Sequence, residues 1–182
     1  DKSINQFKVL KNIAKERGLK IDEISKIIEK IKNTSLSTSS EFKIKNLAMA
    51  IIAAKQSGLK NKRIFKSLKK IKDTDGRFEL VKIFPNNIKV FIDYAHTPDA
   101  LLKILQSLEI SYGKKASLVF GCGGDRDRKK RVLMAKVANN YSRKIYVTDD
   151  NPRNEDPKKI RNEIIKKINP KKCFNIGNRT EA

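Results

Sequence analysis

Ala116-Ser117-Leu118-Val119-Phe120-Gly121-Cys122-Gly123-Gly124-Asp125-Arg126-Asp127 runs from a short apolar strand into a glycine-rich loop, and this stretch, with the elements downstream of it, decides the fold. Lys129 to Tyr141 has helical spacing and Lys144 to Thr148 is a second apolar strand. Asp156-Pro157 opens a helix carrying Ile160, Ile164 and Ile168, and Lys172 to Ile176 reads as another strand. Apolar strands alternating with helices form mostly parallel sheets covered by those helices. The expected class is therefore α/β, a Rossmann-like sheet with flanking helices. Working backwards, Asn87 to Tyr94 reads as the first strand of that sheet. Thr97 and Pro98 then supply an N-cap and a first-turn proline for a helix whose Leu101, Ile104, Leu105 and Leu108 share a face.

Residues 1–75 read differently, as a mainly helical segment. Helical patterns span Phe7 to Arg17, Asp22 to Lys32, Ile44 to Ser57 and Lys62 to Ile71. In the second of these, Ile24, Ile27, Ile28 and Ile31 fall on one side. Leu36 to Ser40 is rich in Ser and Thr and reads as a connector, and Gly58 is a natural stop between the last two helices. The expected division is a helical segment over 1–75 and an α/β domain over 76–182.

The chain carries 42 Lys and Arg against 20 Asp and Glu, a formal net charge of +22. Such an excess attracts anionic partners. The basic residues are scattered, however, and are not interleaved with aromatic residues as a nucleic-acid surface would require. The abundance of Lys, Ile and Asn together is also what an AT-rich coding sequence produces. No specific nucleic-acid partner is expected, and a basic nucleic-acid-binding module is the competing class. Two cysteines far apart and one histidine indicate neither a zinc site nor a disulfide framework. With a polar start and no apolar run approaching about 20 residues, a cytoplasmic protein without membrane contact is expected.

Ligands of parallel α/β sheets sit at the loops leaving the carboxyl ends of the strands. Three polar clusters occupy such positions: Asp93-Tyr94-Ala95-His96-Thr97-Pro98, the glycine loop from Gly121 to Asp127, and Asp149-Asp150-Asn151-Pro152-Arg153. All three are expected at one edge of the sheet. Free N–H groups in the glycine loop suit an anion, or the loop is only a tight strand-to-helix turn. A dinucleotide fingerprint is opposed by Arg126, which occupies its third glycine position. Asp150, Asn151 and Arg153 combine a carboxylate, an amide and a guanidinium, a set that matches a zwitterion. An Asx turn followed by a helix cap would use the same residues without a ligand. Asp93 at a strand end and His96 have several open roles, and neither Cys122 nor Cys173 has the setting of a nucleophile.

Four ordered strings carry a resemblance that reaches from about Phe42 to the end: Gly76-Arg77-Phe78-Glu79, Asp93 through Ala100, Phe120 through Asp127, and Thr148 through Arg153. They resemble the Mur ligases, in their MurE-like, tripeptide-forming branch. The resemblance implies part of an ATP-dependent ligase that adds meso-diaminopimelate to the glutamate end of UDP-N-acetylmuramoyl-L-alanyl-D-glutamate in peptidoglycan synthesis. The acceptor carboxylate is phosphorylated by ATP, with Mg²⁺, and the incoming amine attacks the acyl phosphate.

By position, the resemblance implies Arg126, Asp150, Asn151 and Arg153 as diaminopimelate-binding, and Asn46, Arg77, Asp93 and His96 on the nucleotide side. Phe42-Lys43 stands where relatives show Phe-Asn, so one expected nucleotide contact is missing. No G-x-x-x-x-G-K-[ST] loop occurs in the 182 residues, and no metal-binding set is implied within them. The expectation is a fragment: the tail of a central ATPase domain and most of a carboxyl-terminal domain, inactive alone, with the other domains of the same ligase as partners.

Overall fold

A computed structural model describes residues 6–33, 41–72 and 74–182. The expected connector Leu36–Ser40 lies outside the described residues. The chain forms two compact units, Asp1–Lys72 and Asp73–Ala182.

The first unit is helical: α1 (Phe7–Glu16), α2 (Ser25–Lys32), α3 (Glu41–Gln56) and α4 (Asn61–Leu68). Its core joins Ile27 and Ile31 of α2, Ala48 and Ile51 of α3, and Ile64 and Leu68 of α4, with Ile24 and Ile28 packed against them. The isoleucine face read from the sequence is thus the buried face. Gly58 ends α3 at φ +86°, where the Leu59 N–H donates to the Ala54 carbonyl at 3.1 Å and satisfies one of the helix's last acceptors.

The second unit contains two sheets. Strands β1 (Glu79–Phe84) and β2 (Ile88–Ile92) pair antiparallel around a Pro85–Asn87 turn. Strands β3 (Leu118–Phe120), β4 (Ile145–Val147) and β5 (Cys173–Asn175) form a parallel sheet in that order. Helices α5 (Pro98–Tyr112), α6 (Arg128–Tyr141) and α7 (Pro157–Ile165) complete the unit. Its core gathers Leu101 and Leu105 of α5, Met134, Ala135 and Ala138 of α6, Ile160 and Ile164 of α7, and Phe120, Ile145 and Val147 of the strands.

The α/β architecture with a parallel sheet is as expected, with one correction. The strand read at Asn87 to Tyr94 does not join the parallel sheet; it is β2 of a separate hairpin whose other strand was not anticipated. The hairpin is fixed instead through aromatic contacts: Phe78 stacks on Phe91 at 5.3 Å, and Phe91 meets Tyr112 of α5 at 5.8 Å. Each of α5, α6 and α7 begins on a side-chain cap. The hydroxyl of Thr97 accepts from Ala100 N–H, and the carboxylates of Asp127 and Asp156 accept from Lys129 and Lys158 N–H. No helix among the described residues is long and apolar enough to cross a membrane.

Candidate functional site

Phe120 and Val147 are register partners in adjacent parallel strands, so the loops that follow them leave the same edge side by side. They are docked closely enough that glycine is required. A Cβ on Gly121 would lie 2.4 Å from the Thr148 carbonyl oxygen, and one on Gly124 only 1.8 Å from that of Pro152. Gly124 N–H donates to the Asn151 carbonyl at 2.9 Å, and Arg153 Nη1 donates to the Gly124 carbonyl at 2.7 Å. Asn154 reaches back to the Asp125 carboxylate with its backbone N–H at 3.2 Å and its side-chain amide at 2.9 Å. The structure therefore brings Arg126, Asp150, Asn151 and Arg153 onto two loops joined along one sheet edge.

Within the second loop the Asx-turn reading is realised. Asn151 Oδ1 accepts the Arg153 N–H at 3.2 Å, Asp150 Oδ1 accepts the Asn151 N–H at 2.9 Å, and Arg153 sits at φ +50°. The turn does not use up the loop's polar groups. Arg126, Asp150, Asn151 and Arg153 are all exposed, and the Gly124 contact engages one nitrogen of the Arg153 fork. A third loop braces the pair: Gly177 carbonyl accepts from Thr148 Oγ1 at 2.9 Å and Asp149 N–H at 3.0 Å, and Arg161 pairs with Asp149.

Beneath the loops lies a pair that the sequence reading missed. Arg131 of α6 is 1% exposed and grips Glu155 with both terminal nitrogens, Nη1 to Oε2 at 2.9 Å and Nη2 to Oε1 at 2.7 Å. It also reaches Glu163 at 2.8 Å and the Gly123 carbonyl at 3.3 Å. Glu155 in turn accepts the Asp125 N–H at 2.7 Å and Arg128 at 3.3 Å. A signal was present in the sequence: Arg131 shares the buried face of α6 with Met134, Ala135 and Ala138.

Hydrogen bonds from Arg131 and then from Asp125 N–H lower the Glu155 pKa from 4.5 to about 2. The Glu155 contact also raises the Arg131 pKa above its ordinary value, so the guanidinium stays charged. A carboxylate with a depressed folded-state pKa stabilises the fold fully above its unfolded pKa, and that contribution fades as pH falls through the folded value. Stability of the second unit should accordingly decline between pH 4.5 and about 2, and Glu155→Gln should remove part of that slope. Urea titrations at several pH values check this; identical slopes in the two proteins would discount Glu155 as a contributor.

The residues expected on the nucleotide side are less gathered. Asp93 follows β2 and accepts Phe78 N–H and Ala95 N–H, each at 2.7 Å, so its carboxylate closes the hairpin base onto the next loop. Arg77 lies over the Tyr94 ring at 4.5 Å, and His96 meets the same ring edge-on at 5.2 Å. Arg77, Asp93 and His96 thus cluster at the hairpin base; the Asp93–Pro98 loop was expected to leave the edge of the parallel sheet, but the strand before it belongs to the separate hairpin. Asn46 is exposed on α3 in the other unit. No group of three potential metal-ligating His, Cys, Asp or Glu side chains occurs among the described residues. Cys122, within the glycine loop, is buried, and burial pushes its thiol up to about 11, which suits packing and not nucleophilic chemistry.

Residues 76–182 match the family model described as the Mur ligase, glutamate ligase domain. A protein of Rickettsia bellii named UDP-N-acetylmuramoyl-L-alanyl-D-glutamate–2,6-diaminopimelate ligase is 51% identical over 109 residues, 59% of this chain and 22% of its own length. A Rickettsia montanensis protein of the same name is 44% identical over 143 residues, 78% of this chain and 29% of its own length. A solved structure titled with that ligase name aligns at a TM-score of 0.55 and 35% identity, covering 79% of this chain and 30% of that one. The chain therefore spans only about a quarter of the length of these curated relatives. With its docked glycine and Asp-Asn-Pro-Arg loops on a parallel sheet, the chain belongs to the Mur ligase family.

Proposed function

We propose that the chain supplies the amino-acid-binding side of an ATP-dependent ligase that adds meso-diaminopimelate to UDP-N-acetylmuramoyl-L-alanyl-D-glutamate in the cytoplasm. The observation that supports this reading is the docking of two loops, one carrying Arg126 and the other Asp150, Asn151 and Arg153, through bonds between Gly124 and the Asn151–Arg153 segment. Diaminopimelate has two zwitterionic ends. Two guanidiniums suit its carboxylates, Asp150 suits an ammonium, and Asn151 serves either through its carbonyl or its amide. Lysine lacks the second carboxylate and would leave one of these partners unmatched. The names of the relatives support the same choice of amino acid.

On this reading the first unit is the tail of a central ATPase domain, and the rest of the ligase supplies the phosphate-binding loop. ATP provides the phosphoryl group that activates the acceptor carboxylate. Arg77, Asp93 and His96 offer a cation, a carboxylate and an imidazole near the Tyr94 ring, a donor set that fits a nucleotide's base and sugar. The described residues do not fit Mg²⁺, for want of a ligand cluster. This chain's own part is to bind and orient the amine that attacks. The competing reading, a basic nucleic-acid module, has no supporting observation beyond net charge.

Titration of the 182-residue chain with meso-diaminopimelate and with L-lysine, followed by amide NMR shifts, tests the proposal. Shifts at residues 121–126 and 150–153, with diaminopimelate preferred at least about tenfold, are expected; one charge-assisted hydrogen bond accounts for that factor. Arg153→Ala should remove most of the preference. Equal response to both amino acids would sink the assignment.

A further inference from the structure

Arg126 stands on one loop and Asp150, Asn151 and Arg153 on the other, so the spacing between the loops decides which ligand the four can grip together. Few side chains reach from below to both loops. Glu155 is one, because it follows the second loop yet accepts the Asp125 N–H of the first. Arg131 is another, because it holds Glu155 in a two-point fork and also donates to the Gly123 carbonyl. A planar guanidinium bound at both ends of a carboxylate fixes direction as well as distance. With only 1% of Arg131 and 13% of Glu155 exposed, water competes little for the pair. Both side chains engage the backbone of the glycine loop, Glu155 at the Asp125 N–H and Arg131 at the Gly123 carbonyl.

We propose that Arg131 and Glu155 are positioning residues that set the spacing of the two loops and thereby the preference for diaminopimelate, an inference that rests on the amino-acid reading under Proposed function. The pair works as a spacer. If the fork loosens, the bond from Gly124 N–H to the Asn151 carbonyl opens first, since it is a backbone-to-backbone tie between the loops with no flexible side chain to follow the movement. Loss of register then separates Arg126 from the other three residues while each loop keeps its own internal turn.

Glu155→Gln in the 182-residue chain tests this, because glutamine preserves the shape and removes the charge. Two readouts are taken: hydrogen exchange of the Gly124 amide against that of the Leu118 amide, which bonds to Lys144 in the sheet, and the preference for diaminopimelate over lysine. Neither of these amides donates its hydrogen bond to the substituted group. The expected result is Gly124 exchange accelerated at least about tenfold relative to Leu118, a local opening confined to the loops, together with a loss of about tenfold in preference. Arg131→Lys keeps the charge without the planar fork and should give the same signature.

Ile164→Val is the comparison for a purely structural role: it thins the core without touching either loop and should move both amides by one factor. If Glu155→Gln also moves both amides by one factor, or leaves the preference intact, the positioning role is overturned and the amino-acid reading stands on the wild-type titration. If the wild-type chain shows no preference, the amino-acid reading fails and takes the positioning role with it.

Discussion

Arg131→Met is expected to cost the second unit about 3 kcal/mol, the low end of what removing one partner from a buried ion pair costs. The loss comes from what is left behind. Arg131 is the first and largest cause of the depressed Glu155 pKa, so without it Glu155 is a nearly enclosed carboxylate held only by Asp125 N–H and the more exposed Arg128. The low end applies because Glu155 is 13% and Glu163 36% exposed, and water can move in to solvate both. Domains have only about 5–15 kcal/mol of stability in total, so this is a large share. Urea titration of the chain followed through the methyl signals of Ile145, Ile160 and Ile164 isolates the second unit. Arg131→Met combined with Glu155→Leu should recover much of the loss, because apolar replacements of a buried pair are often close to neutral. A double variant as unstable as the single one would place the cost in packing and not in the stranded charge.

Arg131 is hard to recognise in the sequence for a physical reason. It sits in the run Arg128-Lys129-Lys130-Arg131, which looks like a solvated helix end, and its partner is 24 residues away. Only the apolar spacing toward Met134, Ala135 and Ala138 marks it as inward-facing. The parallel sheet was legible because its first two strands are short apolar runs, each followed by a capped helix. Strand β1 was not: all but its first residue are exposed, it carries an irregularity between Leu80 and Lys82, and so no two-residue alternation survives. The turn signal Pro85-Asn86-Asn87, with both asparagines at positive φ, was available and would have revealed a hairpin.

The four residues on the two docked loops were legible as residue types, since each loop is a contiguous string. What could not be read was the contact between the loops. That depends on the register Phe120 to Val147, a property of strand pairing and not of either string. It also explains why a ligand clamp and an Asx turn looked like alternatives: in the folded chain the turn is what presents the polar groups.

Gly124→Ala is expected to be the most damaging small substitution at the loops. Gly124 has no positive φ, so the backbone would accept alanine; what it lacks is space. The new Cβ would lie 1.8 Å from the Pro152 oxygen and 2.6 Å from its carbonyl carbon, both backbone atoms that cannot swing aside. The loops must separate, which costs about 1–3 kcal/mol for the forced shift. About 1 kcal/mol is added for each of the two hydrogen bonds between Gly124 and the Asn151–Arg153 segment. If the loops form one ligand clamp, separating them should cost one charged hydrogen bond to the ligand and weaken diaminopimelate binding by roughly ten- to a hundredfold. Gly113→Ala is the control. It meets nothing within 4 Å but sits at φ +67°, so it should cost about 1–2 kcal/mol of backbone strain and leave binding unchanged. Calorimetric titration of both variants with meso-diaminopimelate separates the cases. Equal affinities for Gly124→Ala and Gly113→Ala would mean that close docking of the loops is a feature of folding alone.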